Sequence, residues 1–140
     1  MKMSSIENPF IDFLGIANQS MDEARATLTL DLHPHHMNSW QITHGGVSMS
    51  MLDVVMAMAA RAVFQDQKAV VTLEMKTSFL QPAGRCGAQI RAHGQVCHQT
   101  ATLCFCEAEL WNGDKLAAKA SGTYQYLRHP QAALALQKIS

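Results

Sequence analysis

Residues 23–32 read EARATLTLDL, an alternation that puts Ala24, Ala26, Leu28 and Leu30 on one side, which is the period of a strand. A loop rich in His, Asn and Ser carries the chain to His44. The pattern then changes. Over residues 45–64 the chain is made of good helix formers and is apolar nearly all the way round, which predicts a buried central helix. Strand patterns follow. Residues 69–79 set Val71, Leu73, Met75 and Phe79 on one face and Val70, Thr72, Glu74, Lys76 and Ser78 on the other. Gln81-Pro82-Ala83-Gly84 breaks that strand, and residues 87–98 and 101–111 are the next two. Asn112-Gly113 predicts a tight hairpin with both residues at its centre, and residues 115–126 form the last strand. Near-helical spacing of Ile6, Phe10, Ile11 and Phe13 predicts a short helix in a leader over residues 1–12. A second short helix is expected after Pro130 in a tail over residues 129–140. One strand, a long apolar helix and an antiparallel run of four strands make an α+β plan. A helix apolar on every side must be covered on every side. The sheet is therefore expected to curl around it, with subunit contacts closing what stays open.

At 140 residues the chain has the size of a single domain, residues 1–140. Charged residues are 16% and apolar ones 48%, which leaves surface free for contact with other subunits and points to an oligomer. Eleven basic residues balance eleven acidic ones, so no electrostatic footprint for nucleic acid or an anionic membrane is present. The opening MKMSSIENPF lacks the apolar core of a signal peptide, and the longest purely apolar stretch, residues 54–60, is too short to span a bilayer. A soluble cytoplasmic protein is the expectation. Cys86, Cys97, Cys104 and Cys106 lack zinc spacing and are expected to be buried reduced thiols, with Cys104 and Cys106 on one strand face. His33, His35 and His36 crowd together, yet no nearby acid or cysteine completes a ligand set; a polar loop without metal is expected.

Asp53 breaks the apolar pattern. It is the one charge in the stretch from Gly45 to Ala60. Burying a carboxylate costs several kcal/mol unless it is paired or hydrogen-bonded, so the position points to use. A core carboxylate satisfied by serine or backbone partners is the competing account. Gly45 and Gly46 open the same helix, where the first N–H groups lack internal partners and carry the positive end of the dipole. Without side chains they let a ligand approach that backbone. An anion-stabilising helix end and a carboxylate on one element point to acyl chemistry. Eight residues separate Gly45 from Asp53, about 12 Å along the axis. A carbonyl must lie within about 3 Å of its donor, so one helix does not easily serve both ends of the reaction. Two helices of a symmetric dimer can, each offering its N-terminus to the other's Asp53.

Asn38 lies six residues before His44, and Asp53 nine after it. With His44-Gly45-Gly46, the order of elements, TSFLQPAG after the helix and CEAELWNGDKLAAKASGTYQY across the last hairpin, the chain resembles the hotdog-fold acyl-CoA thioesterases. The phenylacetate-pathway type is the nearest match, over about residues 10–127. The resemblance implies a hotdog fold, a two-fold dimer or a tetramer, and hydrolysis of an acyl-CoA or aroyl-CoA thioester. Neither a metal nor a redox cofactor is implied, since CoA belongs to the substrate. It makes Asp53 the catalytic carboxylate, activating water or attacking the thioester carbonyl itself. The Gly45 N–H would hold the carbonyl oxygen, assisted by the Asn38 side chain, with Gly46 beside the substrate and Thr72 helping to position the water.

Each position also has a plainer account. His44, a candidate for direct chemistry, can instead serve as an N-cap ring that holds the loop, Asn38 as a turn residue and Thr72 as a β-branched strand residue. The loop over residues 39–43 lacks the glycine common in that family. Arg85, Arg91, Lys115, Lys119 and Arg128 can each pair with a CoA phosphate or simply be solvated. Two other functions fit the fold. A hydratase or dehydratase of acyl thioesters would want a histidine acid/base beside the carboxylate. A non-catalytic acyl-CoA-binding regulator would want a DNA-binding segment, for which the leader is too short and insufficiently basic.

Overall fold

The computed structural model describes residues 8–127; Ile6, Arg128 and the helix expected after Pro130 lie outside them. The N-terminal helix is a short one, α1 (Pro9–Leu14), capped by Asn8 and ended by Gly15 in the left-handed region at φ 79°. Two strands follow where the sequence suggested one: β1 (Ala17–Asp22) and β2 (Arg25–Asp31) form an antiparallel hairpin. Its turn is made by Glu23 and Ala24 at φ 46° and 70°. Neither is a usual turn former, so the sequence carries no punctuation there.

A 3-10 turn (Pro34–His36) starts the loop to the central helix. Its His36 ring is buried, with Nδ1 accepting from His33 N–H at 3.0 Å and Nε2 donating to the Leu14 carbonyl at 2.7 Å. Burial lowers its pKa below the ordinary histidine value, which keeps the ring neutral in this clamp between loop and α1. The histidine-rich loop is thus a fastening.

Helix α2 (Gly45–Ala62) lies across a sheet completed by β3 (Val70–Phe79), β4 (Gln89–Gln99), β5 (Leu103–Asn112) and β6 (Lys115–Tyr126). All neighbours are antiparallel, in the order β1-β2-β4-β5-β6-β3. This is the expected hotdog arrangement. Met51, Leu52, Val55, Met56 and Met58 of the helix share the core with Leu28, Leu30, Ile90, Ala92 and Leu110 of the strands. The helix backbone itself rests on β4 at Gly94, where an added Cβ would stand 2.7 Å from the Val55 carbonyl oxygen. Backbone cannot retreat as a side-chain tip can. Gly94→Ala should therefore lower stability by about 1–3 kcal/mol, the usual range for overpacking, as read by urea unfolding.

On the single chain Met49, Ser50, Asp53, Val54, Ala57 and Arg61 form a stripe of the helix left partly open, as expected of a helix whose remaining cover is to come from subunit contacts. Two expectations are corrected. The last hairpin turns one residue later than Asn112-Gly113 implied: Asn112 still pairs with Lys115, and only Gly113 of the central pair has positive φ. On β3 the alternation fails at a bulge. Thr72 pairs with Tyr124 and Glu74 with Thr123, leaving Leu73 as the extra residue, 52% exposed. A bulge of one residue exchanges the two faces of a strand. Thr72 is thereby turned toward α2, on the side that Val70 and Met75 also occupy.

Candidate active site

Asp53 is half-exposed on the open stripe of α2 rather than buried, and it is held firmly. Thr72 donates its hydroxyl to Asp53 Oδ1 at 2.8 Å. The Tyr124 phenol donates to the same oxygen at 2.9 Å and lies 3.1 Å from the Asp53 backbone carbonyl. Oδ2 has no partner among the described residues. Burial first, and then the adjacent carboxylate, push the Tyr124 phenol well above its ordinary value, so at neutral pH it is a donor. Tyr124 was not among the residues singled out from the sequence. Its signal was a large hydroxyl-bearing ring following Ala118, Ala120 and Gly122 on the inner face of β6.

The other predicted residues gather at the far end of the helix. His44 is the N-cap of α2, and its Nδ1 accepts from Gly46 N–H at 2.8 Å. That bond commits the Gly46 donor. The glycine is also needed to seat the ring, since a Cβ there would meet His44 Nδ1 at 3.0 Å. Gly45 differs on both counts. Its N–H has no partner among the described residues, and a Cβ on it would find only ordinary contact with the Phe79 ring at 3.5 Å. Neither backbone strain nor crowding requires glycine at 45, so what the missing side chain provides is open access to a free helix-end donor.

Asn38 anchors the loop beside it. Its Oδ1 accepts from Trp40 N–H at 2.8 Å and Ile42 N–H at 3.3 Å, which orients the amide and leaves Nδ2 as the free donor. Gln41 adopts φ 62°, so the loop takes a left-handed residue without the absent glycine. Asn38 and Gly45 border one cavity of about 300 Å³, whose wall combines apolar Ile42, Phe79, Leu80 and Pro82 with polar Thr43, Ser48 and Gln81. Asp53 is not in its wall. The chain therefore carries two separate clusters: donors around Gly45 and Asn38, and the carboxylate of Asp53 with the hydroxyls of Thr72 and Tyr124. A larger concavity of about 800 Å³, on the sheet face away from α2, is lined by none of Asn38, Gly45, Asp53, Thr72 and Tyr124.

Among the described residues no group of three or more His, Cys, Asp or Glu is placed to hold a metal ion. Cys104 and Cys106 are buried with their sulfurs 3.7 Å apart, whereas Cys86 and Cys97 are exposed, contrary to the expectation that all four are buried. Both exceptions sit outside the packed face of the sheet, Cys97 beside the irregular pairing of Val96 and His98. Of the bases considered for CoA phosphates, Arg91 is tied to the Gly113 carbonyl at 3.2 Å. No described helix is long and apolar enough to cross a membrane.

Comparison with known proteins agrees with this fold. A protein of Saccharolobus solfataricus described as an esterase is 30% identical over 117 residues, covering 83% of this chain and 81% of its own. Among solved structures, a conserved protein of Pseudomonas aeruginosa superposes with a TM-score of 0.81 at 28% identity, covering 86% of this chain and 95% of that one. The PaaI protein from the phenylacetic acid degradation operon of E. coli superposes with a TM-score of 0.80, also at 28% identity, covering 87% and 86%. Residues 41–119 match the thioesterase superfamily, a span that holds the helix with both Gly45 and Asp53, and the chain belongs to that family of enzymes.

Proposed function

We propose that this thioesterase hydrolyses an acyl-CoA or aroyl-CoA thioester to the free acid and CoA, with Asp53 and Gly45 from different chains meeting at the bond. The thioester carbonyl oxygen accepts from Gly45 N–H and Asn38 Nδ2 at the helix end, where the dipole favours the negative charge that develops. Asp53 Oδ2 takes a proton from water as the water oxygen attacks the carbonyl carbon, or attacks that carbon itself, in which case an acyl–Asp53 anhydride remains after the thiolate leaves and water hydrolyses it to the acid and the free carboxylate. Collapse of the tetrahedral intermediate then breaks the carbon–sulfur bond and releases the CoA thiolate, which leaves as the thiol after taking up a proton. The observation that carries this reading is the Gly45 N–H, without a partner among the described residues, at a position where an added Cβ would make only ordinary contact.

Two features support a second copy as the missing half. Strand β3 is an unpaired edge of ten residues bearing Leu73 and Phe79, 52% and 55% exposed. Exposed apolar edges of that length are normally covered. The open stripe of α2 that carries Asp53 also lies beside it through Thr72. A hydratase is less well supported. It would want an imidazole at the carboxylate, and the groups at Asp53 are two hydroxyls, while His44 Nδ1 is occupied by Gly46.

A panel of CoA thioesters, aliphatic from short to long together with benzoyl and phenylacetyl, tests the reaction by free-thiol release. At least one member should turn over, with acid and thiol formed in equal amounts. A folded protein that releases no thiol from any of them contradicts the reading.

A further inference from the structure

Resting on the assignment of Asp53 as the reactive carboxylate, we infer that Tyr124 is a positioning residue: with Thr72 it pins Asp53 by Oδ1 and presents Oδ2 to the water. An aspartate on a half-open helix face has a broad, two-fold preference about its last torsion, so either oxygen can point outward. Two donors on one oxygen remove that freedom. The Tyr124 phenol at 2.9 Å and the Thr72 hydroxyl at 2.8 Å both end on Oδ1. A misplacement of about 1 Å can cost about 100-fold in rate, so a fixed carboxylate has catalytic value.

Two local departures from regular structure bring these hydroxyls to one atom. On β3 the bulge at Leu73 turns Thr72 from the outer face to the helix side. On β6, Gly122 leaves room for the tyrosine ring. A Cβ there would stand 2.9 Å from Tyr124 Cε2, 3.2 Å from Met56 Cε and 3.3 Å from the Glu74 carbonyl oxygen. A bulge and a mid-strand glycine each weaken a sheet locally. Here both serve the same contact. The ring is fully buried, and the approach of its hydroxyl to the Asp53 carbonyl at 3.1 Å fixes it to the helix backbone as well. The donor therefore stays in place whatever the carboxylate does.

Tyr126 supplies the comparison that separates positioning from packing. It is a second buried tyrosine of β6, and its hydroxyl donates to the Ala60 carbonyl at 2.7 Å, away from Asp53. Tyr124→Phe and Tyr126→Phe each remove one buried hydroxyl and leave the ring. Tyr124→Phe should lower kcat by about 10- to 100-fold with KM changed by less than about twofold, while Tyr126→Phe stays within about threefold in both. Thr72→Val, at an exposed strand position that tolerates change, should also lower kcat, by about tenfold, and serves if Tyr124→Phe proves unfolded. The decisive arm places Tyr124→Phe and Thr72→Val in an Asp53→Asn protein. A residue that acts through Asp53 should change the remaining rate by less than about threefold there. Equal losses with and without the carboxylate, or a Tyr124→Phe kcat matching that of Tyr126→Phe, overturn the inference while leaving Asp53 in its role. Wild-type turnover by Asp53→Asn alone would instead strike the reading beneath it.

Discussion

Asp53→Asn should lower turnover on the best CoA thioester by about 100-fold or more, the contribution expected of a positioned acid–base group. The substitution is clean here for a structural reason. Asparagine keeps a carbonyl oxygen where Oδ1 now accepts from Thr72 and Tyr124, so both hydroxyls retain an acceptor. What changes is the Oδ2 position, where an amide neither takes a proton from water nor attacks a carbonyl. An amide is also cheaper to desolvate than a carboxylate, so the melting temperature should hold or rise. The measurement is steady-state thiol release, with unfolding followed in parallel. A folded Asp53→Asn protein at the wild-type rate removes the carboxylate from the mechanism, whatever the substrate.

How far the sequence spoke for this site depends on the kind of signal each residue gives. The helix was legible because a long apolar run has one physical solution, and Asp53 stood out because a lone charge there is expensive. The four strands after the helix were legible from alternation, and the hairpin at Gly113 from its turn chemistry. The hairpin of β1 and β2 was not, because its turn uses Glu23 and Ala24 rather than glycine or asparagine. Alternation also misled on β3. It set Leu73 on the face of Met75 and Phe79 and Thr72 on the opposite one, because one extra residue in a strand leaves no mark on composition. The partnership of Tyr124 with Asp53 spans 71 positions and depends on that bulge and on Gly122 together. Local pattern could suggest a tyrosine in the core; which oxygen it meets is a property of the assembled sheet. The same holds for the two glycines of the helix start. Both read as open backbone in the sequence, and the structure separates them by what each N–H already binds.

Mixing two inactive proteins should restore activity if the half-sites belong to different chains. The first is Asp53→Asn. The second is Gly45→Pro, which removes the free N–H and little else: Gly45 is the first residue of α2, where proline fits a helix well. His44 before it has φ −60° and ψ 136°, the extended conformation that a following proline demands. Loss of a single oxyanion donor costs about 100- to 1,000-fold, so each homodimer should be nearly silent. In a heterodimer the intact Gly45 of one chain faces the intact Asp53 of its partner, and the remaining site carries both lesions. Activity should therefore return to half per heterodimer, or about one quarter of wild type in a statistical mixture of equal parts. Light scattering of the wild-type chain should first give an even-numbered assembly, and native mass spectrometry should follow the exchange after reversible dissociation. Confirmed heterodimers without recovered activity would place Gly45 and Asp53 of one chain at the same bond. The separation of about 12 Å along the helix argues against that arrangement, because a carbonyl within about 3 Å of one group cannot present its carbon to a water held by the other.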